Sequence, residues 1–348
     1  MLALEPDVRV IAPLPGWQPG SQLRINSGVR IARETQWSAV RATYLRHHQA
    51  AQDQLAAGLA IPPRRSPGFL AAREVGGVYP PKDNWRPLTN EEQQTIVGVT
   101  DETDLHSTVQ VLAVPRSLIR TVRERIAPFV AAPNYDFDPG LMMVAADHLG
   151  DLVARMNEWL AADVLSVPSW SMVSVRIGEP GRVISSGFQG LHIDLYGPLV
   201  QEQLASRYAG SRLVVNLTDE TRYVAFINLR LATMLSRYPQ LRQLPQLMDA
   251  IDASMGATQS QGIVANAFME SFPEYPVIRL AVEPGQAYIA PTTAIPHEGL
   301  LGGSTAPDLL LLAGHKGETD GVQWTPPDYV PEWQRQCRNA VHRLLAHS

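Results

Sequence analysis

The sequence predicts an α+β protein in which an all-β core, a jelly roll or barrel, carries α-helices on one face. Three features point there. The first 165 residues are rich in helix formers with apolar residues at helical spacing, and the stretch after Pro168 breaks into short branched or aromatic runs ended by Gly, Pro and Asp. Helical texture then returns at 231–271 and at the C-terminus. No Gly-x-Gly-x-x-Gly or Walker loop stands at a strand-to-helix turn, so alternating βαβ units of a nucleotide-binding sheet fit poorly.

In chain order, Thr35 opens "TQWSAVRATYLRHHQAAQDQLAAGLA", whose cap residue and strong helix formers predict a long helix stopped by the loop "IPPRRSPG". "PRSLIRTVRERIAPFV" predicts a second helix and "DPGLMMVAADHLGDLVARMNEWLAADV" a third, with Leu141, Ala145, His148, Leu149 and Leu152 along one face. "SWSMVSVRIG", "SRLVVNLTD", "TRYVAFINL", "YPVIRLAVEPG", "QAYIAPT" and "DLLLLAGHK" predict strands at hairpin-like intervals. Between them, "LATMLSRYPQLRQLPQLMDAIDASM" and "IVANAFMESF" are helical, and "PEWQRQCRNAVHRLLAH" closes the chain as an amphipathic helix. The expected organisation is one integrated domain. Residues 1–165 form a mainly helical support, 166–318 the β-core with a helical insert at 231–271, and 319–348 a C-terminal helix.

The 348 residues carry 34 acidic against 29 basic side chains, a formal charge of −5, which lacks the basic footprint that nucleic acid or an anionic membrane demands. A small-molecule partner is expected instead. Cys337 is the only cysteine, so no internal disulfide and no thiolate cluster is available, and any metal must sit on His, Asp or Glu. The start "MLALEPDVRV" places acids where a secretory signal needs a basic head, and no 18-residue apolar run occurs. The expected location is the cytoplasm.

The segment "QGLHIDLYGP" places His192 and Asp194 two residues apart on a short strand, where alternate side chains project to the same side and both reach one ion. With nine histidines in the chain, one such pair is weak evidence and by itself reads more readily as a polar strand edge. A partner changes that. His297 follows the strand of "PGQAYIAPTTAIPHEGLLGG" and precedes a glycine-rich turn, 103 residues after Asp194. Two imidazoles and one carboxylate form the facial triad that holds non-heme Fe(II) and leaves open positions for substrate and oxygen.

On His192, Asp194 and His297 the chain resembles the Fe(II)- and 2-oxoglutarate-dependent dioxygenase superfamily, whose double-stranded β-helix carries a His-x-Asp…His triad. The resemblance covers about 168–318. It implies Fe(II) on those three residues, dioxygen as oxidant and 2-oxoglutarate as co-substrate. In the superfamily an arginine on the last strand, some 10 to 20 positions after the distal histidine, pairs with the far carboxylate of 2-oxoglutarate. Here that strand is "PDLLLLAGHKG", with Asp308 at its start and no arginine. Lys316 follows it, and Arg212, Arg222 and Arg279 on neighbouring strands are the other cations for the task. Asn216 in "RLVVNLTDE" is a further candidate for a carboxylate. A member that takes all its electrons from its own substrate has no need of 2-oxoglutarate.

Other readings of single residues are blander. Tyr196 and Tyr288 near the ligands suit packing, His148 suits a satisfied core histidine, and Glu298, directly after His297, faces the opposite way along its strand. His315 suits either a site or a structural role. No Gly-x-Ser-x-Gly nucleophile elbow occurs. The sequence therefore predicts a non-heme Fe(II) oxygenase oxidising a small molecule, possibly amino-acid-derived, by hydroxylation, desaturation or cyclisation, with the insert 231–271 as its lid. Two other classes stand beside it: a 2-oxoglutarate-independent oxygenase or oxidase, and a non-catalytic or zinc-binding jelly roll.

Overall fold

Eleven strands are seen among the described residues. In chain order they are β1 (Arg9–Ile11), β2 (Leu23–Ile25), β3 (Thr108–Ala113), β4 (Leu141–Ala145), β5 (Trp170–Gly178), β6 (Arg212–Asn216), β7 (Arg222–Phe226), β8 (Ile278–Val282), β9 (Gln286–Ala290), β10 (His297–Leu300) and β11 (Leu309–His315). The helices are α1 (Pro19–Gln22), α2 (Asn90–Ile96), α3 (Arg116–Ala131), α4 (Ala146–Leu149), α5 (Leu152–Asp163), α6 (Leu231–Arg237) and α7 (Ala257–Ser271). This computed structural model describes residues 3–31, 79–99, 104–133, 141–163, 170–178, 190–194, 211–243, 257–300, 302–303 and 306–315.

The strands form a seven-stranded sheet in the order β1-β3-β9-β6-β11-β5-β4 and a four-stranded sheet in the order β10-β7-β8-β2. Within the core, β9-β6-β11-β5 of one sheet face β8-β7-β10 of the other. An isolated bridge from His192 to His297 continues the smaller sheet beyond β10. From β5 onward the chain passes from sheet to sheet, β5, the His192 segment, β6, β7 and β8, β9, β10, β11. This is the winding of a double-stranded β-helix. All core pairings are antiparallel.

Three apolar layers explain why these segments are strands. Between the sheets pack Val214, Val224, Phe226, Ile278, Leu280, Val282, Tyr288, Ala290 and Leu310. The outer face of the large sheet, Val173, Val175, Ile177, Leu213, Val215, Leu311 and Ala313, meets Leu118, Val122 and Ile126 of α3 and Met156, Trp159 and Leu160 of α5. The outer face of the small sheet, through Ala225, meets Met234 and Leu235 of α6 and Phe268 and Met269 of α7. Strand β11 is apolar at successive positions because its Leu310 serves the first layer and its Leu311 the second. Each such side chain contributes about 1.5–3 kcal/mol when fully buried.

Helix α2 starts on a capping box, with Thr89 accepting from the Glu92 amide and the Glu92 side chain returning to the Thr89 amide. Among the described residues no helix is long and apolar enough to cross a membrane.

The structure corrects the sequence reading in two places. Leu141–Ala145 is a strand, registered from Leu141 on Gly178 to Ala145 on Ser174, and helix begins only at Ala146. "LMMVA" satisfies a helical period locally, but the open edge of β5 offers it a full ladder, and that pairing overrides the weak local preference. Beside the helices of the first 165 residues, β1, β3 and β4 extend the large sheet and β2 the small one. The described parts of the insert, α6 and α7, form the layer over the small sheet, with Met234 and Phe268 both fully buried. Burial of that depth makes these parts structural wall, and residues 244–256 of the expected lid lie outside the described residues. The helices expected from Thr35 and at the C-terminus, together with Lys316, lie outside the described residues.

Candidate metal centre

Backbone pairing assembles the centre. The His192 amide donates to the His297 carbonyl at 3.0 Å and the His297 amide returns to the His192 carbonyl at 2.9 Å, so the two residues face each other across a ladder rung. Their rings point to the same side, with centroids 4.8 Å apart. Asp194, two residues on, projects the same way and is fixed by its amide donating to the Thr292 carbonyl at 3.0 Å. One ligand atom from each of His192, Asp194 and His297 lies within 4.8 Å of the others. The three residues that the sequence spacing picked out are thus brought together.

The ring nitrogens are already assigned. His192 Nδ1 lies 3.0 Å from the Gly190 carbonyl, and His297 Nδ1 lies 3.2 Å from the Ile295 carbonyl. A carbonyl only accepts, so each Nδ1 carries a proton and Nε2 is the ring nitrogen left facing Asp194. His297 Nε2 is 3.5 Å from Asp194 Oδ2, and His192 Nε2 is 4.0 Å from Asp194 Oδ1. Two adjacent donors about 2.1 Å from a common ion stand about 3 Å apart, so a small inward movement completes the set.

Gly190 holds the His192 side in place. Its φ is +127°, and a Cβ there would sit 2.6 Å from the backbone of Tyr79, so only glycine fits this approach. Its carbonyl orients His192, and its amide donates to Glu298 Oε1 at 2.8 Å. Glu298, 6% exposed, is the residue after His297 and faces away from the triad. One ligand's neighbour therefore anchors the loop that orients the other ligand.

Charge is concentrated on the inner side. Arg212, at the start of β6, places Nε 3.0 Å from Asp194 Oδ2, although the N–H is not aligned as a hydrogen bond. Burial alone would raise the Asp194 carboxyl. Arg212, His297 and His192 outweigh it and hold the group well below the usual carboxylate range.

Further into the barrel, Tyr288 senses Arg222, Asp194 and Arg212 together, and burial keeps its hydroxyl protonated above the ordinary tyrosine range. Arg222 follows, 3% exposed, with Nε 2.9 Å and Nη2 3.2 Å from the two oxygens of the fully buried Asp308. Burial opposes its charge, but Asp308 and then Tyr288 sustain it. Its Nη1 remains buried without a hydrogen-bond partner. Gly299 makes room, since a Cβ there would lie 2.5 Å from Arg222 Nη2. A polar lane thus runs from the triad past Tyr288 to Arg222 inside the barrel.

The remaining sequence candidates lie elsewhere. Asn216 closes the β6–β7 turn: its Nδ2 donates to the Glu220 and Val282 carbonyls, and its Oδ1 accepts from the Thr218 amide and hydroxyl. Arg279 lies 4.7 Å from the Trp85 ring and 4.8 Å from the Tyr223 ring. It alternates with Ile278 and Leu280, which face the barrel, and so belongs to the outer face of the small sheet. Arg176 takes the barrel-side register of β5, between Val175 and Ile177 on the helix side. His315 ends β11 opposite Trp170.

Sequence reading named Arg222 only as one of several cations and gave Tyr288 to packing. The alternation Arg222, Val224, Phe226, with the last two between the sheets, is the signal that Arg222 points inward.

No family model matches the chain, and no curated protein matches it. Solved structures do. A Pseudomonas putida prolyl-4-hydroxylase aligns at 12% identity over 60% of this chain and 92% of its own, with a TM-score of 0.33. The Kdo hydroxylase KdoO, a non-heme Fe(II) alphaketoglutarate dependent dioxygenase in complex with succinate and Fe(III), aligns at 14% over 66% and 85%, with a TM-score of 0.39. HygX from Streptomyces hygroscopicus, with nickel and 2-oxoglutarate bound, aligns at 12% over 67% and 88%, with a TM-score of 0.36. Likenesses of this size leave the functional case to the chain's own residues.

Proposed function

We propose that the protein is a non-heme Fe(II) oxygenase that oxidises a small molecule with dioxygen and uses 2-oxoglutarate as co-substrate. One observation carries this reading: both histidines commit Nδ1–H to a backbone carbonyl, so two Nε2 atoms and one carboxylate converge on a common point. A polar strand edge does not need that arrangement. His192 and His297 are 8% and 7% exposed, sheltered yet within reach of solvent.

The donor set fits Fe(II) and leaves positions on the ion for other ligands. Iron held there supplies the activation of dioxygen, and oxidation of 2-oxoglutarate to succinate supplies two of the four electrons that dioxygen takes up. The chain's own residues do the rest. His192, Asp194 and His297 would hold the metal. Tyr288, protonated and placed between the triad and Arg222, offers a neutral donor along the lane. Arg222 Nη1 and the Tyr288 hydroxyl suit the far carboxylate of the co-substrate, because a buried N–H without a partner is costly and an anionic acceptor relieves it. Val214, Phe226 and Leu310 line the barrel and keep water from that carboxylate. Of the cations considered from sequence, Arg222 replaces Lys316 and Arg279 as the favoured anchor.

Zinc takes the same three donors, so the metal itself is the decisive measurement. Protein purified without oxygen is expected to retain iron and to consume oxygen with formation of succinate when 2-oxoglutarate and a substrate are present. His192→Ala combined with His297→Ala is expected to abolish both. Stoichiometric iron in that double variant would overturn the centre, and full-rate oxygen uptake without 2-oxoglutarate would leave an oxygenase driven by its own substrate.

A further inference from the structure

Asp194 is ionised, its side chain is 12% exposed, and in the metal-free chain its charge must be met from within. The two imidazoles also face it, with Nε2 of His297 3.5 Å and Nε2 of His192 4.0 Å away. Each commits its Nδ1–H to a backbone carbonyl on the other side. Among the described residues in ion-pair contact with Asp194, Arg212 alone has a permanent positive charge, with Nε 3.0 Å from Oδ2. That contact is one of charge, without hydrogen-bond alignment, and the arginine is more exposed than its partner, 28% against 12%.

We infer that Arg212 is a resident counter-cation: it stands in for the metal's charge on Asp194, keeps the metal-free site assembled, and competes with the incoming divalent ion for the same carboxylate. This inference rests on the metal-centre reading above. Its physical content is a linkage. Whatever Arg212 contributes to holding Asp194 without metal must be given up in part when a divalent cation arrives, so the arginine lowers metal affinity by the factor by which metal weakens the arginine pair. A residue that only shaped the site would act in the opposite sense, since its loss would disorder a ligand and weaken binding.

The test uses the full chain and Co(II), which reports its ligand field by visible absorption. Metal-free protein, Arg212→Met and Arg212→Lys are titrated with Co(II) by calorimetry, and thermal unfolding is followed with a chelator and with Co(II). Arg212→Met is expected to bind Co(II) about 10- to 100-fold more tightly than the parent. Its metal-free melting temperature is expected to fall, and the gap between metal-free and loaded forms to widen. Arg212→Lys keeps the charge and is expected to stay near the parent on both measures.

Should Arg212→Met fold only when Co(II) is present, the same competition is seen at its limit. Equal or weaker Co(II) binding by a folded Arg212→Met, or an unchanged metal-free melting temperature, overturns the counter-cation role while leaving the metal centre standing. Failure of the parent and Arg212→Met alike to bind Co(II) overturns the metal centre, and this inference with it.

Discussion

Replacing Glu298 by Ala tests whether the metal centre depends on a residue that never touches it. Glu298 Oε1 accepts the Gly190 amide at 2.8 Å, and the Gly190 carbonyl accepts from His192 Nδ1 at 3.0 Å. Removal of the carboxylate leaves a buried N–H with no acceptor, at a cost of about 1–3 kcal/mol. The strain does not stay local. Gly190 is wedged against Tyr79 and Pro80, and its successor Leu191 is tied to the Tyr79 carbonyl at 2.9 Å, so a shift at Gly190 carries the acceptor of His192 with it. At 1.4 kcal/mol per tenfold change, the affected His192 is expected to weaken metal binding about 10- to 100-fold, the range found for partners that orient metal-bound histidines.

The assay is a Co(II) titration of the parent, Glu298→Ala and Glu298→Gln. Glutamine keeps an oxygen acceptor at the same reach and is expected to bind within about twofold of the parent, far less than the one to two orders of magnitude assigned to alanine. Parent-like affinity in Glu298→Ala would refute the relay. If glutamine binds as poorly as alanine, then the charge of Glu298 matters and the hydrogen bond does not.

Two further outcomes follow from the polar lane. The double change Arg222→Met with Asp308→Leu removes a buried ion pair without stranding either charge, so the fold is expected to persist and Co(II) to bind normally. The 2-oxoglutarate requirement is expected to rise by about two orders of magnitude, and an unchanged requirement would release Arg222 from its proposed role. Succinate is expected to bind the Co(II)-loaded protein by calorimetry and to bind metal-free protein at least about tenfold more weakly, because the metal supplies the charge that one carboxylate meets. Equal binding with and without metal would place the dicarboxylate away from the centre.

The triad was legible because a strand's two-residue period converts His-x-Asp directly into shared orientation, and because the second histidine stood at a strand boundary. The barrel strands were legible for a related reason: β6, β7, β8 and β11 are short, branched and bounded by turn residues. Strand β4 was not, since "LMMVA" has no local feature that separates it from the first turns of a helix, and only the edge of β5 decides its conformation. Nor was the partner of Arg212. Residues 194 and 212 are far apart in sequence, and which side of β6 faces the site depends on its registers with β9 and β11. Asn216 shows the converse case. Its place at a strand end matched a binding role as well as a turn role, and its four hydrogen bonds to the turn and to Val282 show where its capacity is spent.

On the proposed reading, Arg222 takes the place of an arginine missing from the last strand. A co-substrate carboxylate at the inner end of the lane would need a buried cation, and the strand that delivers it is secondary, because β7 and β11 both send side chains into the same space. Here Asp308, the residue before β11, contributes the carboxylate and Arg222 of β7 the guanidinium, 2.9 Å apart at their nearest atoms. Within the lane the fixed charges then cancel: Asp194 against Arg212, Asp308 against Arg222. A divalent ion at the triad upsets that balance by two positive charges in surroundings of low dielectric, where an unmet charge is expensive. A neutral ligand would leave both charges unmet and a monocarboxylate would leave one. A dicarboxylate restores neutrality, and one that lies along the lane meets the metal at one end and the unpartnered N–H of Arg222 at the other.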